Sequence, residues 1–170
     1  NSSLASTISL ADVPANNTAN DNDKNKTEDN AIDNSETVGA RLVFLFDSSG
    51  SIDNTEYQVQ LDAMADALGS QDFRDAIFFD SGPGSVAICF ADYGSSAAVR
   101  IDWVEIRKGD DKKLKELADR VANLERRESG STSHAAGFNL AAERFKNCPW
   151  PSDRNIVNIT TDGKTNQDRD

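Results

Sequence analysis

The feature that most constrains the fold is the apolar run RLVFLF at residues 41–46. Apolar residues at nearly every position of a strand-length segment indicate a strand covered on both faces, since a strand with one wet face would alternate. Such strands are typical of parallel sheets with helices on both sides. The run stops at Asp47, where several oxygen-bearing side chains follow within a few residues.

Three further runs of strand length follow along the chain. They are SVAICFA at 85–91, AAVRIDWV at 97–104 and RNIVNITT at 154–161. The first two read as a hairpin, and the alternating character of the second places it at a sheet edge. The last run is apolar and ends in polar residues at Asp162, as the first run ends at Asp47.

Amphipathic stretches separate these strands. One helix is predicted to have Asn54 or Thr55 as its N-cap and to close at Gly69, and others are predicted within 110–127 and 129–145. Strands that alternate with helices in this way predict an α/β fold with a doubly wound, mostly parallel sheet flanked by helices. We expect residues 40–170 to form this domain.

Residues 1–39 have a different composition, dominated by Asn, Asp, Ser, Thr and Lys without a sustained apolar period. Such a segment buries too little surface to offset chain entropy, so it is predicted to be a disordered polar linker or tail. Its one mildly apolar piece, SLASTISLADV, is too short and too polar to span a membrane. A polar tail and a chain that starts at Asn1 favour an exported protein, extracellular or periplasmic.

The balance of charge is acidic, with 18 Lys and Arg against 29 Asp and Glu and a formal net charge of −11. This composition argues against nucleic acid as a partner. The two cysteines match no metal-binding spacing. Cys89 lies inside an apolar run and is predicted to be a buried free thiol, while a bridge to Cys148 stays open as an alternative.

A cluster of oxygen donors is predicted at one edge of the sheet. Asp47 and Asp162 each follow a strand, and in doubly wound sheets ligands bind at the carboxyl ends of strands. Ser49 and Ser51 follow Asp47 at i+2 and i+4, so one tight turn can aim three side-chain oxygens at a point. Carboxylates with hydroxyls suit Mg²⁺, or Mn²⁺ or Ca²⁺, because hard cations prefer oxygen ligands.

The same residues resemble two other kinds of site. An EF-hand loop would need Gly at Ile52 and a bidentate Glu at Gln58, so that reading fails. Phosphotransferases of the haloacid dehalogenase type carry a second acid two residues after the nucleophilic Asp, where this chain has Ser49. A Mg²⁺-dependent phosphotransferase-like enzyme that uses Asp47 is kept as an alternative, although a protein without catalysis is favoured.

The motif DSSGS at 47–51 resembles the DxSxS signature of the von Willebrand factor type A superfamily. SGSTSHAAGFNLA resembles that family's Thr loop, and NIVNITTDGKTN resembles its last metal-site strand and turn. The resemblance implies metal positions at Asp47, Ser49, Ser51, Thr132 and Asp162. It also implies a metal-ion-dependent adhesion site that engages an acidic group of a protein partner; a structural domain with a vestigial site is a further alternative.

Further similarity indicates a bacterial branch of that superfamily with unassigned function. Its features here are Glu56, Tyr57 and Gln60 at a helix start and Trp103 at the end of a strand. The family fold continues beyond the last motif, so the resemblance implies a domain that is truncated at its C-terminus and a last strand whose outer edge is unpaired. Asp53 and Asp92 are interpreted as surface residues.

Overall fold

The computed structural model describes residues 8–10, 37–78, 82–127 and 130–161. The strands are β1 (Ile8–Leu10), β2 (Ala40–Asp47), β3 (Ser85–Tyr93), β4 (Ala97–Arg107) and β5 (Asn155–Ile159). The helices are α1 (Asn54–Gly69), α2 (Gln71–Phe78), α3 (Asp111–Ala122) and α4 (His134–Lys146).

The five strands form one sheet in the order β1-β5-β2-β3-β4. The three central strands β5, β2 and β3 run parallel, and the two outer strands β1 and β4 run antiparallel to their neighbours. The fold class predicted from the sequence is therefore confirmed, as are the hairpin of β3 with β4 and the edge position of β4. The central strand β2 is the apolar run that carries Asp47 at its carboxyl end.

Helices cover both faces of the sheet. On one face α1, α2 and α3 pack against alternate residues of the central strands, including Phe44, Phe46 and Phe90, whose rings stack. On the other face α4 packs against the intervening residues, including Val43 and Leu45. Burial on both faces explains why β2 reads as a continuous apolar run.

Helix α4 approaches the sheet closely at Gly137. A Cβ atom at this position would lie 3.1 Å from Leu45 Cδ1 and 3.3 Å from Tyr93 Cγ, so the absence of a side chain allows this contact. The Thr loop before α4 is thereby held against the ends of β2 and β3.

The N-cap of helix α1 lies one residue before the first of the two predicted positions, Asn54 and Thr55. Asp53 is the N-cap residue: its side chain accepts a hydrogen bond from the Glu56 N–H, and the Glu56 side chain accepts one from the Asp53 N–H. This reciprocal pair satisfies two backbone donors that a helix start leaves unpaired. Asp53 is exposed, as predicted, and as the N-cap it fixes where the loop after β2 ends and α1 begins.

The outer edge of β5 is paired, which corrects the expectation of an open edge. Residues Ile8–Leu10, from the segment predicted as a linker, form β1 and pair antiparallel with Val157–Ile159. An edge strand exposes a row of backbone donors and acceptors, and a short strand from elsewhere in the chain satisfies them. This strand was not predicted because Ile8–Leu10 is short and lies within a polar segment that has no sustained apolar period.

Both cysteines are free thiols, and Cys89 is buried in the core between the sheet and α4, as predicted. Burial raises the pKa of Cys89 to about 12, so this thiol stays protonated at physiological pH. No helix in the described ranges is both long and apolar enough to cross a membrane.

Candidate metal-binding site

The site is built on Asp47, the last residue of β2. Its side chain is 0% exposed, and Oδ1 accepts a hydrogen bond from the Ser49 N–H at 2.9 Å. This bond folds the chain into a tight turn directly after the strand, as Asp side chains do when they accept from a backbone N–H two residues on. The turn places Ser49 and Ser51 next to the Asp47 carboxylate.

The Ser49 hydroxyl joins the two loops of the site. Its Oγ accepts a hydrogen bond from Thr132 Oγ1 at 2.9 Å and lies 3.2 Å from Ser51 Oγ. The Gly50 N–H donates to the Gly130 carbonyl at 2.5 Å, which holds the loop after β2 against the loop before α4. The structure therefore brings together Asp47, Ser49, Ser51 and Thr132, while Asp162 lies outside the described residues.

The floor of the site comes from β3 and from the residues after β5. The Tyr93 hydroxyl donates to the Thr160 carbonyl at 2.9 Å and lies 3.5 Å from Asp47 Oδ2. His134, the first residue of α4, packs its ring near that of Tyr93 and lies 3.3 Å from Thr161 Oγ1. Tyr93 is thus buried beside the candidate site.

A second buried carboxylate lies on the neighbouring strand. Asp92 is also 0% exposed, and it forms ion pairs with Arg100 at 2.5 Å and with Arg127 at 3.0 Å. The interpretation of Asp92 as a surface residue was therefore wrong. Its two arginines come from β4 and from the segment after α3, a pairing that only the folded topology reveals.

The two buried aspartates differ in how their charge is balanced. Asp92 is neutralised by two guanidinium groups, whereas no Lys, Arg or His of the described ranges forms an ion pair with Asp47. A buried charge without a partner is costly, and natural proteins balance such charges with a cation or a metal. The hydroxyls around Asp47 offer oxygen atoms but no positive charge.

The donor set at Asp47 fits a hard divalent cation. One carboxylate and three hydroxyls are the kinds of oxygen that Mg²⁺ and Ca²⁺ take, whereas Zn²⁺ would favour His or Cys. The described residues contain no group of three or more His, Cys, Asp or Glu placed to hold a metal ion. The candidate site is instead rich in hydroxyls.

Gln60 fixes the backbone of Asp47. The Asp47 N–H donates to Gln60 Oε1, and Gln60 Nε2 donates to the Asp47 carbonyl, both at 3.0 Å. Thr160 Oγ1 also donates to Gln60 Oε1. The pairing of β2 with β5 ends at Leu45 and Ile159. Beyond that point the Gln60 side chain supplies the hydrogen bonds of the Asp47 backbone.

Replacing Gln60 with Ala should therefore destabilise the fold. The change leaves the backbone donor and acceptor of Asp47 without their partner, at a cost of about 2 kcal/mol. In a domain of this size that corresponds to a fall of roughly 8 °C in the melting temperature, measured by circular dichroism. Gln58→Ala is the matched control on the same helix; an equal loss in both variants would contradict the role of Gln60.

Two residues near the site had no sequence signal for their roles. Arg126 Nη2 donates to the carbonyls of Ser49 at 2.9 Å and Ser48 at 3.4 Å, so its guanidinium holds the loop that follows β2. Ser48 points away from the cluster and donates through Oγ to the Tyr93 carbonyl. Arginine-to-carbonyl contacts depend on the fold and follow no spacing in the sequence.

Trp103, which the resemblance groups with the helix-start residues, lies on the edge strand β4, which β3 separates from β2. Its ring packs against Phe145 of α4, and Nε1 donates to the Arg144 carbonyl at 3.2 Å. Trp103 therefore fastens β4 to α4.

One family model matches this chain, over residues 37–170. The family is described as Protein of unknown function (DUF1194). The match covers both loops of the candidate site and nearly all of the described fold. A search of curated proteins finds no match.

Proposed function

We propose that this chain, which belongs to the DUF1194 family, is a protein-binding module that depends on a divalent cation. The observation that supports this most directly is the fully buried Asp47 carboxylate. It accepts a hydrogen bond from the Ser49 N–H, and the Ser49 hydroxyl in turn contacts those of Ser51 and Thr132. No cationic side chain of the described ranges forms an ion pair with Asp47. The resemblance to von Willebrand factor type A domains gives the same set of residues. Mg²⁺ is the proposed cation, with Mn²⁺ or Ca²⁺ as substitutes.

In this proposal Asp47, Ser49, Ser51 and Thr132 hold the cation together with Asp162. When bound, the cation would supply positive charge at the carboxyl edge of the sheet. Neutral hydroxyls offset little of that charge, so an acidic group from outside is attracted to the same point. The partner is therefore a protein that offers a carboxylate, and its binding and the occupancy of the metal site are coupled.

The chain's own residues prepare this arrangement. The Ser49 N–H orients Asp47 Oδ1, the Thr132 hydroxyl orients Ser49 Oγ, and Gln60 holds the Asp47 backbone. Each of these groups is positioned by an interaction that needs no cation. Such preorganisation lowers the entropy cost of binding.

Mg²⁺ should raise the melting temperature of the chain. A ligand that binds only the folded state stabilises it by about 2.7 kcal/mol at a concentration of 100 times Kd. For a domain of this size we expect a shift of roughly 10 °C, measured by differential scanning calorimetry with Mg²⁺ against EDTA.

Two serines in the same turn provide a matched pair for that measurement. Ser49→Ala removes a hydroxyl of the cluster and should abolish most of the Mg²⁺ shift, whereas Ser48→Ala removes one that faces Tyr93 and should retain it. A wild-type melting temperature that ignores Mg²⁺, Mn²⁺ and Ca²⁺ would contradict the proposed function.

A further inference from the structure

A pocket of about 450 Å³ adjoins the loop that follows β2, residues 48–53, which carries Ser49 and Ser51. Its walls are the start of α1 and the segment that follows α3, and they include Asn54, Tyr57, Leu124, Glu125 and Arg126. Helix α1 begins directly after the loop that carries the candidate metal residues. Arg126, through its contact with the Ser49 carbonyl, connects the pocket to that loop.

Two of the residues that line this pocket each carry a buried polar atom without a hydrogen-bond partner within the described ranges. The two atoms are the Tyr57 hydroxyl and Arg126 Nε. Tyr57 is only 1% exposed, and its ring packs edge-on against Phe46. Since nearly all buried polar groups in proteins are hydrogen-bonded, two such atoms on the residues of one pocket are candidates for hydrogen bonds to a bound group.

Both atoms are hydrogen-bond donors toward an anion. The Arg126 guanidinium carries a positive charge at any physiological pH. Burial, followed by the charge of Asp92, raises the pKa of Tyr57 to about 12, so its hydroxyl keeps its proton and can donate. The side chain of Glu125 is exposed, and solvent screens its charge.

We infer that this pocket is an anion subsite for a second carboxylate of the acidic partner. The inference rests on the proposed function, in which a first carboxylate meets the cation. A guanidinium and a neutral phenol form strong, charge-assisted hydrogen bonds to a carboxylate oxygen. The ligand recognised is then a dicarboxylate unit, such as two acidic side chains close together on one segment of the partner.

Two five-carbon acids test this inference as probes. Glutarate carries two carboxylates and valerate carries one, and both can offer a carboxylate to the metal site. We expect glutarate to bind the Mg²⁺-loaded wild-type chain roughly tenfold more tightly than valerate in isothermal titration calorimetry, the effect of one hydrogen bond to a charged group.

Tyr57→Phe is the decisive variant, because the hydroxyl that it removes has no partner in the described ranges. If that hydroxyl were only structural, its removal would leave binding unchanged and stability equal or higher. We expect instead that the preference for glutarate falls severalfold while the Mg²⁺ titration midpoint stays as in wild type. Arg126→Lys should reduce the same preference, and Arg120→Lys, on the exposed face of α3, is its control.

The outcomes separate this inference from the proposed function. If Mg²⁺ fails to stabilise the wild-type chain, the metal proposal fails and the subsite falls with it. If Mg²⁺ stabilises the chain but glutarate and valerate bind alike, or if Tyr57→Phe keeps the full preference, only the subsite is overturned.

Discussion

Replacing Asp47 with Asn is expected to leave a folded chain whose melting temperature no longer responds to Mg²⁺. Asn keeps an oxygen that accepts the Ser49 N–H bond and nearly the same volume, so the turn after β2 is preserved. It lacks the negative charge that a divalent cation requires. We therefore expect the entire metal-dependent stabilisation, about 2.7 kcal/mol at 100 times Kd, to disappear.

A second expectation concerns the free energy of unfolding of the same variant in the presence of EDTA. Because Asp47 has no cationic partner in the described ranges, removing its buried charge should not lower the free energy of unfolding and can raise it. Urea denaturation of wild type and Asp47→Asn, each with Mg²⁺ and with EDTA, measures both effects. A variant that keeps the Mg²⁺ response would show that the cation binds elsewhere.

Asp92→Asn should behave in the opposite way. It removes the carboxylate that pairs with Arg100 and Arg127, and those two cations are left beside a neutral side chain in a buried setting. Breaking a buried ion pair on one side costs about 3 kcal/mol. We expect that loss with Mg²⁺ and with EDTA alike, in the same urea denaturation experiment.

The contrast between the two variants tests the electrostatic argument itself. They make the same chemical change on neighbouring strands, where Phe46 is in register with Asp92 and Asp47 with Tyr93. A loss of stability in Asp47→Asn under EDTA as large as in Asp92→Asn would mean that Asp47 already has a balancing charge. The basis for a cation at this site would then be gone.

The sequence predicted the parts of the fold that depend on local pattern. The apolar run of β2, the hairpin of β3 and β4, and the apolar stripe of α3 follow from periodicity, and each lies within a few residues of its predicted position. The spacing of Asp47, Ser49 and Ser51 could be predicted as one cluster because a single turn sets it. Thr132 was assigned to that cluster only through the resemblance to von Willebrand factor type A domains, because it lies in the loop between α3 and α4 and follows no parallel strand.

Contacts between distant residues could not be predicted in this way. Gln60 contacts Asp47 because α1 folds back along β2. Arg126 contacts Ser49 because the chain leaves α3 beside the loop that follows β2. Neither contact corresponds to a residue spacing that could be recognised in the sequence. Asp92 was misread for the same reason, since its two arginines lie 8 and 35 residues away along the chain.

Strand β1 has a consequence for the order in which the chain folds. Ile8 pairs with Ile159, so β1 is synthesised well before the strand with which it pairs. Contacts between such distant residues carry a large loop-closure cost and form late in folding. β1 can therefore complete this edge of the sheet only after β5 has been synthesised, and until then the outer edge of the sheet lacks the strand that covers it in the folded chain.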